Sequence, residues 1–220
     1  MQRVENKLAR ASRSYLYMNK VIFKVDDFLS DEFHLNNGSN VDLNCGRFFG
    51  TISKYPQVKI SLGVIGRTLK GAPSNAIGLV KAWIDSGKIE IFNHSFAHSE
   101  EPATVQDAIY NQDVIDEYFN VRPNIYGAPR NDVSVVGKWD RTMYGKDIPI
   151  NAYRELENVI PGSFVTLDNF QKKYEKNHSQ VKVYQMHPWV WTRTDFEEFE
   201  MCLKIMLDDN KQWIFPSELS

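Results

Sequence analysis

Cysteine is scarce in this chain. Its 220 residues hold two, Cys45 and Cys202, far apart and in no Cys-x-x-Cys pair. That excludes a thiolate zinc cluster and a Cys-x-x-Cys redox motif, and no disulfide is expected. Long apolar runs are also missing: none approaches the ~20 residues that cross a bilayer. Met1 to Arg13 is polar and basic, with no apolar stretch of the kind a secretory leader needs, so the chain is expected in the cytoplasm. Charge of one sign is lacking too. A net charge of −2 provides no basic face for phosphates, which argues against nucleic acid as a partner. There is no internal repeat, and no glycine-rich dinucleotide fingerprint after the first apolar run.

What is present suits one globular domain with a full core. Hydrophobic residues make up 42% and charged residues 25%. Aromatics reach 13%, enough for core packing and for stacking surfaces. Residues 1–17 read as a basic N-terminal extension, with the domain proper over 18–220. Strands are expected at 21–25, 59–66, 88–93, 125–126, 148–153, 163–167, 181–186 and 213–215. Helices are expected at 75–86, stopped by Gly87, at 104–119, opened by Thr104 and Asp107, and at 195–209. Strand and helix alternate, which predicts a parallel sheet covered by helices. The number of units favours a (β/α) barrel over an open sheet.

In such a barrel, active residues sit at the C-terminal ends of strands. Asp26 and Asp27 end the first strand. His94 and His98 follow the third, Gly127 to Asn131 the fourth, and His187 ends the strand at 181–186. Two adjacent carboxylates repel and gain a buried strand end nothing structural. On an extended chain, neighbours point to opposite sides, so one could face a metal and the other a water. His94 and His98 are four residues apart, a spacing that puts both rings on one side of a helical turn, as a divalent ion requires. Trp189 and Trp191 alternate after His187, as a wall for a sugar ring or as core or lid packing. His34 and His178 lie in polar surroundings and carry no assignment.

These residues resemble the polysaccharide deacetylases, carbohydrate esterase family 4, with the NodB homology domain. The motif of a strand ending in Asp-Asp is matched by FKVDDF, residues 23–28. His-(Ser/Thr)-x-x-His is matched by HSFAH, residues 94–98, and the strand ending in histidine by VYQMHP, residues 183–188. The likeness runs from about Val21 to the C-terminus. It implies a distorted (β/α) barrel of seven or eight strands. It also implies hydrolysis of the acetyl amide of an N-acetylated sugar, assisted by one divalent metal: zinc first, with cobalt, nickel, manganese or iron as alternatives. By motif position, Asp27, His94 and His98 would be the metal ligands, Asp26 the general base and His187 the general acid. A cytoplasmic setting would suit a nucleotide- or lipid-linked sugar in surface-polysaccharide biosynthesis.

The chain departs from this pattern in two places. The third motif normally opens with an arginine that orients the base, and here that position is Gly127, in Gly127-Ala128-Pro129-Arg130. Arg130 is a candidate contact for an anionic part of the substrate, a second route to the base, or a surface residue. No counterpart of the fourth motif is evident; Trp139-Asp140 looks helical. Three readings therefore stand: an N-acetyl sugar deacetylase, a hydrolase of another carboxamide or cyclic amide, and a saccharide-binding barrel without catalysis.

Overall fold

The computed structural model describes residues 20–28, 41–98, 104–123, 125–127, 129, 170, 174, 181–209 and 211–218. The extension at 1–17, the expected strands at 148–153 and 163–167, Arg130 and Trp139-Asp140 lie outside them.

Strand β1 is Lys20–Phe28, β2 Ile60–Val64, β3 Ile89–Asn93, β4 Val181–Met186 and β5 Gln212–Trp213. All pairings among them are parallel, in the order β3-β2-β1-β4, with β5 also on β1. Of the expected fourth strand beginning at 125–126, the described residues show one parallel bridge, Asn93 to Tyr126. Helix α1 is Val41–Ser53, α2 Gly66–Leu69, α3 Ser74–Asp85, α4 Val105–Phe119 and α5 Arg193–Asp208. The α/β alternation and the parallel sheet are as expected.

Alternation along each strand separates two faces. Val21, Phe23 and Val25 of β1, Leu62 and Val64 of β2, Ile91 of β3, and Tyr184 and Met186 of β4 join one apolar cluster with the helices. The opposite face carries Lys24 and Asp26 of β1, in register with Ser61 of β2 and Gln185 of β4, and Gly63 in register with Phe92 of β3. So Lys24, Asp26, Ser61 and Gln185 share one face, and the helix-covered face is apolar apart from Lys182 and Asn93.

The helices begin where their capping chemistry dictates. Thr104 accepts the Asp107 amide at the start of α4. Thr192 and Asp195 close a reciprocal capping box on α5. Gly87 takes φ +71 in the turn from α3 to β3, which a side chain would resist. Helix α1 was not foreseen. It buries Cys45, Phe48, Phe49 and Ile52, and Phe48 contacts Trp189, Trp191 and Phe199. Cys45 and Cys202 are both buried.

Candidate active site

Everything begins with a fault in β1. Val25 pairs with Leu62, but the next pairing is Phe28 with Val64, so β1 spends one extra residue between them. Asp27 takes φ 56, a left-handed backbone that aspartate tolerates better than most residues. The bulge overturns the expectation that the two carboxylates face opposite sides. Both approach His187, whose Nε2 is 4.0 Å from Asp26 Oδ2 and 3.5 Å from Asp27 Oδ2.

The second segment is not a helical turn either. His94 follows β3 directly, and residues 94–98 are an irregular loop with positive φ at Ser95 (70) and His98 (46). The loop is held from beneath. Asp107, in the first turn of α4, accepts the Phe96 amide at 2.9 Å and the Ala97 amide at 3.1 Å. Ser95 Oγ accepts from the His98 amide at 3.0 Å. Asn93 Oδ1 accepts from the Ser95 amide at 3.0 Å and from Asn111 Nδ2 at 2.6 Å. This tethering, not helical periodicity, brings the two rings to 5.1 Å between centroids.

Asp27, His94 and His98 present three ligand atoms within 4.8 Å of one another. His94 Nε2 is 3.1 Å and His98 Nε2 3.2 Å from Asp27 Oδ1. The donor chemistry fits a cation. His94 Nδ1 lies 2.7 Å from the carbonyl of Gly127, and a carbonyl only accepts, so Nδ1 carries the proton. The Nε2 of a neutral His94 is then a bare lone pair facing an anionic oxygen. Such a contact is favourable only with a positive charge between or on the pair. Asp27 Oδ1 is buried and receives no well-aligned hydrogen bond. A divalent ion would satisfy the oxygen and both rings together, and three protein ligands with open positions is a catalytic pattern.

Electrostatics agree. Burial pushes Asp27 upward, but His94 and His98 beside it outweigh burial and hold its carboxyl well below the usual range. His98 is shifted upward: burial opposes its charge, and Asp27 more than compensates.

Asp26 is only 2% exposed, and its Oδ2 pairs with the ammonium of Lys24, itself 2% exposed. Its Oδ1 is buried and has no hydrogen-bond partner among the described residues. His187, by contrast, leaves 42% of its side chain exposed. Pro188 follows it and starts a short turn of 3₁₀ helix, Pro188–Val190, as a sharp exit from β4 requires.

Trp189 corrects an expectation. The indole is 1% exposed and packs edge-on against Phe28 and Phe48, so it offers no face to a sugar. Its N–H donates to the carbonyl of Asp26 at 2.8 Å. Trp191 is buried as well. Lys24, Asp107 and Asn111 were overlooked. The signal for Lys24 was a lone cation inside an apolar strand, two residues before Asp26 and therefore on the same face.

No protein-family model matches the chain, and no curated relative does. Solved structures do match. BA3943 of Bacillus anthracis, a CE4 family pseudoenzyme, aligns with a TM-score of 0.59 at 15% identity, over 91% of this chain and 65% of its own. PdaC of Bacillus subtilis, a peptidoglycan deacetylase, gives 0.57 at 16% identity, over 92% of this chain and 90% of its own. The chain has the fold of these CE4 structures. A 4-alpha-glucanotransferase from Thermococcus litoralis also aligns, with a TM-score of 0.62 at 11% identity, over 91% of this chain and 40% of its own. One architecture thus accompanies different names, and the reaction must be argued from the site.

Proposed function

We propose that the chain is a metal-dependent hydrolase that removes the acetyl group from an N-acetylated sugar. The observation that carries this is the Asp27–His94–His98 cluster with a separate carboxylate, Asp26, and a separate imidazole, His187, beside it. A closed structural site would need neither extra group.

Asp27, His94 and His98 would hold the ion, which would lower the pKa of a water and polarise the acetyl carbonyl. Asp26 takes the proton from the attacking water. The carbonyl carbon gains a C–O bond and then loses its C–N bond. His187, exposed at the mouth, gives a proton to the leaving nitrogen. The products are acetate and the free amino sugar. The Gly127 carbonyl keeps His94 in the tautomer that leaves Nε2 free to ligate.

The test is metal content and acetate release, measured on UDP-N-acetylglucosamine, lipid-linked N-acetylglucosamine and N-acetylglucosamine oligomers. Wild type and Asp26→Asn are both expected to bind the ion. Acetate is expected from wild type, with the variant slower by about 10²–10⁴-fold. A wild type that takes up no metal would refute the site. A metal-loaded wild type that releases no acetate would point instead to saccharide binding without catalysis.

A further inference from the structure

We propose that Lys24 positions the general base Asp26, replacing from strand β1 the arginine that the motif at Gly127 lacks. This deepens the reading above and rests on it.

Lys24 lies in the middle of β1, on the polar face of the sheet, and is 2% exposed. An ammonium buried among strands is costly unless an anion meets it, and a leucine there would avoid that cost. The anion is Asp26, two residues on and on the same face, whose Oδ2 takes the Lys24 ammonium. The ammonium also sits 5.5 Å from the centroid of the Phe92 ring. The Lys24 side chain is thus confined by Asp26 on one side and an aromatic ring on another.

Gly127 makes room for this arrangement. A Cβ at 127 would lie 2.5 Å from Phe92 Cε2 and 3.4 Å from Lys24 Cε. Gly63 is just as tight: a Cβ there would meet the same ring at 2.5 Å. Phe92 thus fills the space in front of both glycines, and an arginine at 127 would have to displace it. Phe92 in turn stands edge-on to His94, with centroids 5.7 Å apart. The cation on the base and the glycine in the third motif are two parts of one arrangement.

The consequence for catalysis is directional. Lys24 engages Oδ2, the oxygen that also lies 4.0 Å from His187 Nε2, so the ammonium holds that oxygen beside the cluster. Lys24 touches neither substrate nor metal in this scheme. Its work is to hold the Asp26 carboxylate in one orientation beside His187.

Four forms are compared: Lys24→Met, Lys24→Arg, Asp26→Asn, and the double variant Lys24→Met with Asp26→Asn. Each is assayed for bound zinc, for acetate release from N-acetylglucosamine pentamer, and for melting temperature. Lys24→Met should keep its zinc and its KM within about twofold while kcat falls on the order of 100-fold. Lys24→Arg should recover most of that loss. The double variant buries no lone charge and should melt above both single variants, a result that needs no activity and holds even where Lys24→Met is too unstable to assay. A Lys24→Met enzyme with wild-type kcat, or a loss of kcat that tracks lost zinc, would overturn the assignment. So would a double variant that melts no higher than the singles. If wild type with full zinc is itself inactive, the deacetylase reading falls and takes the positioning role with it. The melting comparison would then report only a structural ion pair.

Discussion

Trp189 donates its indole N–H to the backbone carbonyl of Asp26 across 2.8 Å, joining the turn after β4 to the bulge in β1. That carbonyl belongs to a residue within the segment where the ladder with β2 slips. The bond gives that carbonyl a donor and fixes the peptide of Asp26, the proposed base. Trp189→Phe keeps an aromatic ring against Phe28 and Phe48 and removes only the donor. Stability should fall by about 1–3 kcal/mol in urea unfolding. In the metal-loaded enzyme kcat should fall more than KM rises. An unchanged kcat would mean that the bulge holds its shape without this bond.

Asp107 should govern metal affinity without touching the metal. Its two carboxylate oxygens take the amides of Phe96 and Ala97, which lie between His94 and His98. Asp107→Ala frees the loop between His94 and His98, while Thr104 remains at the helix start. Zinc affinity measured by chelator competition should drop about 10–100-fold, as losses of supporting partners do. Equal affinity would show that the loop is set by Asn93 and Ser95 alone.

Gly127→Ala tests the crowding around Phe92. The new Cβ would lie 2.5 Å from the ring, and the ring or the backbone must yield. Overpacking of this kind costs about 1–3 kcal/mol. Because the Gly127 carbonyl faces His94 Nδ1 at 2.7 Å, a backbone shift should also weaken zinc binding. Calorimetry of zinc binding separates the two effects. A destabilised variant with wild-type affinity would place the whole shift in Phe92.

How much of this was legible in the residues alone follows from where each contact comes from. Strand β1 and helix α5 declare themselves by period and by caps, and the structure differs only at their ends. Helix α1 did not stand out, because Gly46 and Gly50 weaken a helical reading, though Cys45, Phe48, Phe49 and Ile52 do keep helical spacing. Asp27, His94 and His98 were legible as a motif. Their convergence rests on a bulge and on a loop tethered by Asp107, neither of which has a hydrophobic period. Trp189 failed as a sugar platform because burial is a tertiary property. A tryptophan after a strand looks the same in sequence whether Phe48 covers it or not.

The pH dependence of stability should differ between metal-free and metal-loaded protein. Without metal, Asp27 is held below its unfolded value of about 3.9 and His98 above its unfolded value of about 6.5. The contribution of Asp27 is full above the unfolded value and is lost as pH falls through the folded one. The contribution of His98 is full below the unfolded value and is lost as pH rises through the folded one. Both operate together between about pH 4 and 6.5, so metal-free protein should melt highest there. With metal the order reverses on the basic side. A proton on His98 competes with the ion, so zinc stabilises little in acid and progressively more as His98 loses its proton. Melting curves from pH 4 to 9, with zinc and with chelator, should therefore converge in acid and diverge towards base. Asp27→Asn should flatten the chelator curve on both sides, since each shift depends on that carboxylate. Parallel curves for the wild type would show that zinc binds without displacing a proton from His98.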